Sequence, residues 1–373
     1  MSNNENPNKI VITTGDTQDA KVISVTEAMK QAETYATVRE VGNSTTANKG
    51  GITIIAILIM VGAGALGGLV AFLLNKLSDV LINWENQETW VGNLTFTFLM
   101  AFAIGLTILL IDSATERNLT KLGMSLAIGA PVALVAGLIV GGIAHLIYSP
   151  WVTSIYNGAQ LQIELGVITS EGQYADYITS RLHWARGVAW SIVGISAGLT
   201  IGIASRSLRR LLVTSAGGFV GGFLGGFAFD FFTGESSAQF VGMLITGLLI
   251  GLSMALIEQA SKTRWIEIVS GGMAGKQFIL YKTDLTIGSS PRADITLIKD
   301  PAIPDLAARL VIQGNQAVLE SINPAMPVAV NGQVANRTVL VDGAQLTFGS
   351  SIVKYREKSS EKSAPLGGPV RLS

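Results

Sequence analysis

Between residues 51 and 260 the chain carries six long stretches that are apolar all the way round, and this constrains its fold more than any other feature. A helix needs roughly 20 mainly apolar residues to cross a bilayer, whereas a helix on a soluble core keeps a polar stripe. The stretches lie at about 52–75, 94–112, 122–147, 187–204, 211–232 and 238–257. Polar connectors part them at Asn83–Asn93, Asp112–Lys121, Ser149–His183, Ser205–Arg210 and Thr233–Ser237. Charged residues make up only 14% of the chain, against about 25% in an ordinary soluble domain. The expectation is an all-α, glycine-rich transmembrane bundle of six helices, with the lipid bilayer as its first partner.

Charge placement orients that bundle. With the N-terminus cytoplasmic, the cytoplasmic flanks hold Arg39, Lys49, Arg117, Lys121, Arg206, Arg209, Arg210, Lys262 and Arg264. The other side holds Lys76, Arg181 and Arg186. Lysine and arginine accumulate on the cytoplasmic side, so both termini are expected there. Residues 1–50 are polar and lack a short apolar core, so no cleavable signal peptide is expected. They read as a mobile cytoplasmic arm, with a hairpin about Gly15-Asp16 and a helix opened by Ser24 and Glu27, a docked partner helix being the alternative.

Glycine marks how the spans pack. The fifth span is a double ladder in which Gly217, Gly221 and Gly225 are each followed by a second glycine. The fourth carries Gly194, Gly198 and Gly202. Small residues at every fourth position let helix backbones approach closely where lipid offers no hydrophobic drive. The favoured reading is packing within one chain, with a homo-oligomer left open. Gly105-Leu106-Thr107 and Gly198-Leu199-Thr200 mark a faint parallel repeat. Ionisable residues in the spans, Asp112, His145, Arg186, Asp230 and Glu258, all fall near span ends, where they can snorkel to water. Arg186 and Asp230 sit at neighbouring outer ends and are a candidate ion pair fixing the register of spans four and five.

Several function classes are excluded. Net charge is zero, which argues against nucleic-acid binding by phosphate neutralisation. The absence of cysteine excludes disulfides and thiolate chemistry, and two histidines leave little for imidazole chemistry. There is no GxGxxG after a strand, no P-loop, no HExxH and no GxSxG. No catalysis, metal or cofactor is expected. Asp300 and Asp305 flank a proline-bounded loop that reads as solvated.

From 264 to 356 the pattern changes to short alternating runs: 265–269, 278–281, 285–288, 295–297, 310–313, 317–321, 328–330, 338–341, 345–348 and 352–355. Gly271-Gly272, Gly314-Asn315, Asn331-Gly332 and Asp342-Gly343 supply turns between them. Such spacing denotes an all-β sandwich or barrel. The order Leu285-Thr286-Ile287-Gly288, Asp294-Ile295-Thr296-Leu297, Val330-Asn331-Gly332 and Leu340–Phe348 resembles the forkhead-associated (FHA) family, over about a quarter of the chain. That resemblance implies a protein-interaction domain that reads phosphothreonine.

The recognition positions depart from the family. Ser289 stands where the family has its phosphate-pairing arginine, and Pro304-Asp305-Leu306-Ala307-Ala308 replaces the loop with the serine and histidine. Met326-Pro327 takes the place of the first Asn-Gly. Without the bidentate arginine the phosphate loses its main anchor, and Asp305 would repel a dianion. Arg292 and Arg309 are the cations nearest in sequence that could substitute; with Ser289, Asp305 and Asn331 they are the candidate binding residues. The whole reads as a polar arm (1–50), a bundle (51–260), an FHA-like sandwich (264–356) and a disordered tail (357–373). As a bacterial membrane protein with such a domain, it would be an adaptor presenting the sandwich to a cytoplasmic protein. A small transporter or channel with a regulatory sandwich is the alternative.

Overall fold

The computed structural model describes residues 54–82, 89–115, 118–229, 231, 236–297, 300, 302–322 and 328–358. The expectations for the N-terminal arm, the tail beyond 358, Asp230 and Met326-Pro327 fall outside them, whereas Glu357, expected in the disordered tail, closes the last strand. Among the described residues six helices come first: α1 (Ile54–Leu81), α2 (Thr89–Ala114), α3 (Leu119–Glu164), α4 (Glu171–Ala204), α5 (Leu208–Phe229) and α6 (Ser236–Ser261). All six are long and apolar enough to cross a membrane. Helix α1 packs on α2 and α6, α3 on α2 and α4, and α5 on α4 and α6; α2 also meets α4. Their shared centre is apolar: Met100, Ile104, Ile108, Ile201, Ile250 and Met254 are all buried. Two hydroxyls buried there turn back on their own helices. Thr200 Oγ1 donates to Ser196 O at 2.8 Å, and Thr246 Oγ1 to Gly242 O at 2.8 Å. Each hydroxyl is thereby satisfied within its own helix.

The double ladder of α5 serves two neighbours. A methyl group on Gly217 or Gly221 would overlap the backbone of Met254 or Ile250 in α6, and one on Gly225 would strike Thr246. The second glycines, Gly218 and Gly222, abut Gly194 and Trp190 of α4 instead. Gly198 and Gly202 of α4 in turn lie against Ser215 and Leu211. Consecutive glycines point about 100° apart around a helix, so two adjacent ladders line two faces.

The segment 149–183, expected as a connector, is helical for most of its length. Helix α3 continues to Glu164 through Pro131 and Pro150, and α4 begins at Glu171. At 46 residues, α3 is about 69 Å long, more than twice the roughly 30 Å hydrocarbon core. The protruding hairpin has its own small core of Ile155, Ala159, Ile178, Leu182 and Ala185. Those residues recur at three- and four-residue spacing, with Ser154, Asn157, Gln160, Asp176, Ser180 and Arg181 around them, which is the pattern of a half-buried helix face. Gly166, at φ 72°, ends α3, and the Ser170 side chain caps α4 by accepting from Gln173 N.

Eleven strands follow: β1 (Arg264–Ile268), β2 (Gln277–Ile279), β3 (Asp284–Gly288), β4 (Ile295–Thr296), β5 (Ala308–Gln313), β6 (Gln316–Ser321), β7 (Val328–Val330), β8 (Gln333–Ala335), β9 (Arg337–Leu340), β10 (Gln345–Phe348) and β11 (Ser351–Glu357). One sheet runs β2-β1-β11-β10-β7-β8 and the other β4-β3-β5-β6-β9. Alternate residues from both meet in one core that includes Ile266, Ile287, Leu310, Leu346 and Tyr355. Asn331 (φ 50°) and Gly332 (φ 81°) close a two-residue turn between β7 and β8, in which both residues must be left-handed. Strand β8 was not expected because Gln333-Val334-Ala335 is an edge strand with no buried side chain to mark a face.

Candidate functional site

Two places collect chemistry: the loops at one end of the sandwich, and the junction between sandwich and bundle. In the loops, Gly288 closes β3 so tightly against Asp305 that any side chain there would overlap the Asp305 carbonyl. Ser289 N donates to Pro304 O at 3.0 Å and Ser290 N to Asp305 O at 3.1 Å. Ser289 and Asp305 are thus brought together through backbone, with the Asp305 residue exposed.

The other candidates are held elsewhere. Arg309 lies inside β5 and pairs through Nε and Nη2 with both carboxylate oxygens of Asp284 across the β3–β5 ladder. That pair holds the Asp284 carboxyl below its usual range. Asn331 is a turn residue whose Oδ1 accepts from Gln345 N at 2.9 Å. Arg292 is exposed and lines a cavity that faces the bundle. The loop with Asp300 is not solvated throughout, because Asp300 is buried. Its carboxylate accepts from Ser350 N and Oγ at 2.7 and 2.8 Å and from Ala302 N at 3.0 Å. Burial works against its ionisation, but these hydrogen bonds outweigh it and hold the carboxyl below its ordinary value. It is a structural lock between two loops.

The junction was not legible in the sequence. Helix α6 ends at Ser261 and β1 starts at Arg264, so only two residues join the bundle to the sandwich. The exposed carbonyls at the end of α6 are taken by cations: Arg209 Nη2 donates to Ser261 O at 2.9 Å and Lys358 Nζ to Ala260 O at 3.0 Å. Cations suit the negative end of a helix dipole. Lys262 is buried over the Trp265 ring, 4.5 Å from its centroid, and reaches Gln259 and Gln277. Burial, with Lys358 nearby, lowers its pKa.

At the centre of the junction stands Arg210, on the first turn of α5. Its Nη2 donates to Asp112 Oδ2 of α2 at 2.8 Å, and Nη1 donates to Ser205 Oγ at 3.0 Å. Its Nε lies 3.3 Å from Glu258 Oε1 of α6, an ion pair without hydrogen-bond alignment. The same Glu258 oxygen accepts from Tyr281 Oη of the sandwich at 2.7 Å. Burial and the Glu258 charge push the Tyr281 phenol well up, so it stays a donor. One arginine thus ties α2, α4, α5 and α6 together, and through Glu258 the sandwich. Asp112 and Glu258 were expected to snorkel separately; a cation within reach holds them instead. Arg186 lies 5.1 Å from the Phe229 ring and 3.3 Å from Tyr148 Oη.

Among the described residues, six membrane-length helices thus precede an all-β, two-sheet sandwich. No family model and no curated protein matches the chain. Among solved structures, the likeness lies in the C-terminal region. The FHA domain of the CT664 protein from Chlamydia trachomatis is 20% identical, with 26% of this chain and 100% of that one covered and a TM-score of 0.25. The cytoplasmic domain of the T3SS sorting platform protein PscD from P. aeruginosa is 21% identical over 30% and 98%, at 0.24. The FhaA FHA domain, solved in complex with the intracellular domain of Rv3910, is 20% identical over 25% and 100%, at 0.23.

Proposed function

We propose that this chain is a multi-pass membrane adaptor whose bundle anchors the sandwich at the cytoplasmic face of the cell membrane. There the sandwich binds a protein partner whether or not that partner is phosphorylated. The observation that carries this reading is the state of the loop end. Ser289 stands where a phosphate-pairing arginine would be, Asp305 is exposed beside it, and Arg309 is engaged by Asp284. A phosphothreonine dianion would meet a carboxylate there and no bidentate guanidinium. The apolar centre of the bundle supports anchoring over conduction.

Full-length protein in detergent, probed with an array of phosphothreonine peptides and their unphosphorylated twins, is expected to bind both members of each pair within about twofold. A preference above tenfold, lost in Arg292→Ala, would overturn phosphate independence. Orientation has its own check, since the chain lacks cysteine. Val167→Cys, at the exposed tip of the helical hairpin, should react with an impermeant maleimide on intact cells. Val334→Cys, exposed on the sandwich, should react only after permeabilisation. The opposite pattern would reverse the topology.

A further inference from the structure

A cavity of about 830 Å³ lies between the sandwich-proximal ends of α1, α2 and α3 and the sandwich itself. It is the size of a small-molecule site and far larger than a water needs. Its walls change character along the bundle axis. On the bundle side they are Ile55 and Ile59 of α1, Leu109 of α2, and Met124 and Ile128 of α3. Each four-residue pair forms a stripe along its helix. Ile55, Ile59 and Met124 are also partly open to the surroundings, at 70%, 37% and 41% exposure. The apolar wall of the cavity is therefore partly open to the surroundings along α1 and α3. Toward the sandwich the lining turns basic: Lys121, Arg206, Arg210, Lys276, Lys282 and Arg292 against Asp112, Glu258 and Asp294. Both acids of the bundle meet Arg210, and Asp294 meets Lys282 at 2.6 Å. Among the described lining residues, six basic side chains stand with three carboxylates.

A second observation points the same way. Helix α4 ends in a Schellman turn: Arg206 N donates to Ile203 O at 2.9 Å and Ser207 N to Gly202 O at 3.3 Å. The residue at its turning point must be left-handed, and there glycine is the usual choice. The chain uses glycine for the same turn at the end of α3, where Gly166 has φ 72°. At the cavity it uses Arg206, at φ 51°. A left-handed non-glycine residue is strained by about 1–2 kcal/mol, and such strain gathers at functional sites. The backbone asks for glycine, so the arginine serves through its side chain.

We infer that this cavity holds an anionic phospholipid, with its headgroup phosphate among Arg206, Lys276 and Arg292 and an acyl chain along the Ile55–Ile59 and Met124–Ile128 stripes. Basic pockets between helices at a membrane surface recognise such headgroups. The apolar half of the cavity favours lipid over a free phosphate compound. The lipid would fill the gap between α1 and α3 and touch both bundle and sandwich. The inference uses the membrane reading of the helices but not the adaptor reading.

The test uses full-length protein in detergent, with thermal stability followed as phosphatidylglycerol, phosphatidylcholine or inorganic phosphate is added. Phosphatidylglycerol should stabilise at lower mole fraction than phosphatidylcholine, and millimolar phosphate should do nothing. The double variant Arg206→Gly/Lys276→Gln should lower the anionic preference about thirtyfold, at roughly a tenfold step or less per cation. Glycine at 206 suits the turn, so a lost preference is not a folding defect. Ile59→Trp should block lipid stabilisation by filling the apolar half. Equal stabilisation by both lipids, or a preference unchanged in the double variant, would overturn the site. Stabilisation by inorganic phosphate that survives Ile59→Trp would assign it to a soluble ligand instead.

Discussion

Arg210→Ala should be the most damaging single side-chain truncation at the junction, costing about 3 kcal/mol or more of stability in detergent. The reason is what it leaves behind. Asp112 and Glu258 would face one another across the base of the bundle without the guanidinium that now contacts both. Removing one partner of a buried ionic cluster costs more than the cluster's net worth, because the remaining charges stay desolvated. A rescue separates this from simple loss of packing. Adding Asp112→Asn and Glu258→Gln to Arg210→Ala should recover a large share of the loss, whereas strict additivity in the cycle would refute the network. Tyr281→Phe deletes only the 2.7 Å hydrogen bond to Glu258 and should cost about 1–2 kcal/mol. Because that bond joins sandwich to bundle, hydrogen exchange at 276–282 should quicken in both variants. Unchanged exchange would mean that the two-residue linker and the cations capping α6 hold the sandwich alone.

A comparable loss is expected when the glycine ladder is filled. Gly221→Leu places a side chain where the Ile250 Cα and the Leu249 carbonyl already stand, so α5 and α6 must separate along their whole contact. Backbone cannot yield as a flexible side chain can, and overpacking of about 1–3 kcal/mol is the lower bound. Poor recovery of folded protein from membranes is the expected outcome. Gly142→Ala in α3 is the control, because nothing lies within 4 Å of its added methyl. Exchanging glycine for alanine within a helix is worth about 1 kcal/mol in propensity, so this variant should be neutral or slightly more stable. If both substitutions were tolerated equally, close backbone approach at α5 would not be what holds the bundle.

The six helices could be read from the sequence because length and all-round apolarity are local properties, and so could most strands, whose two-residue alternation shows over four or five residues. Strand β8 escaped because it lies at a sheet edge and buries none of its side chains. The hairpin of α3 and α4 escaped for the opposite reason. Its stripe of Ile155, Ala159, Ile178 and Leu182 is amphipathic, and a search for uniformly apolar runs passes over it. The glycines of α5 announced close packing, but only the folded bundle decides that Gly221 meets Ile250 while Gly222 meets Trp190. In the sandwich, Ser289 was singled out by the resemblance of its motifs alone. The pairing of Arg309 with Asp284 was not legible, since it depends on which residues β3 and β5 set side by side. The junction lies furthest from the sequence. Asp112 and Glu258 could be recognised alone as carboxylates in a costly place, but Arg210 is 98 residues from Asp112. Local chemistry names the charges that need partners, and only the packing of α2, α5, α6 and the sandwich brings the partners within 3.3 Å.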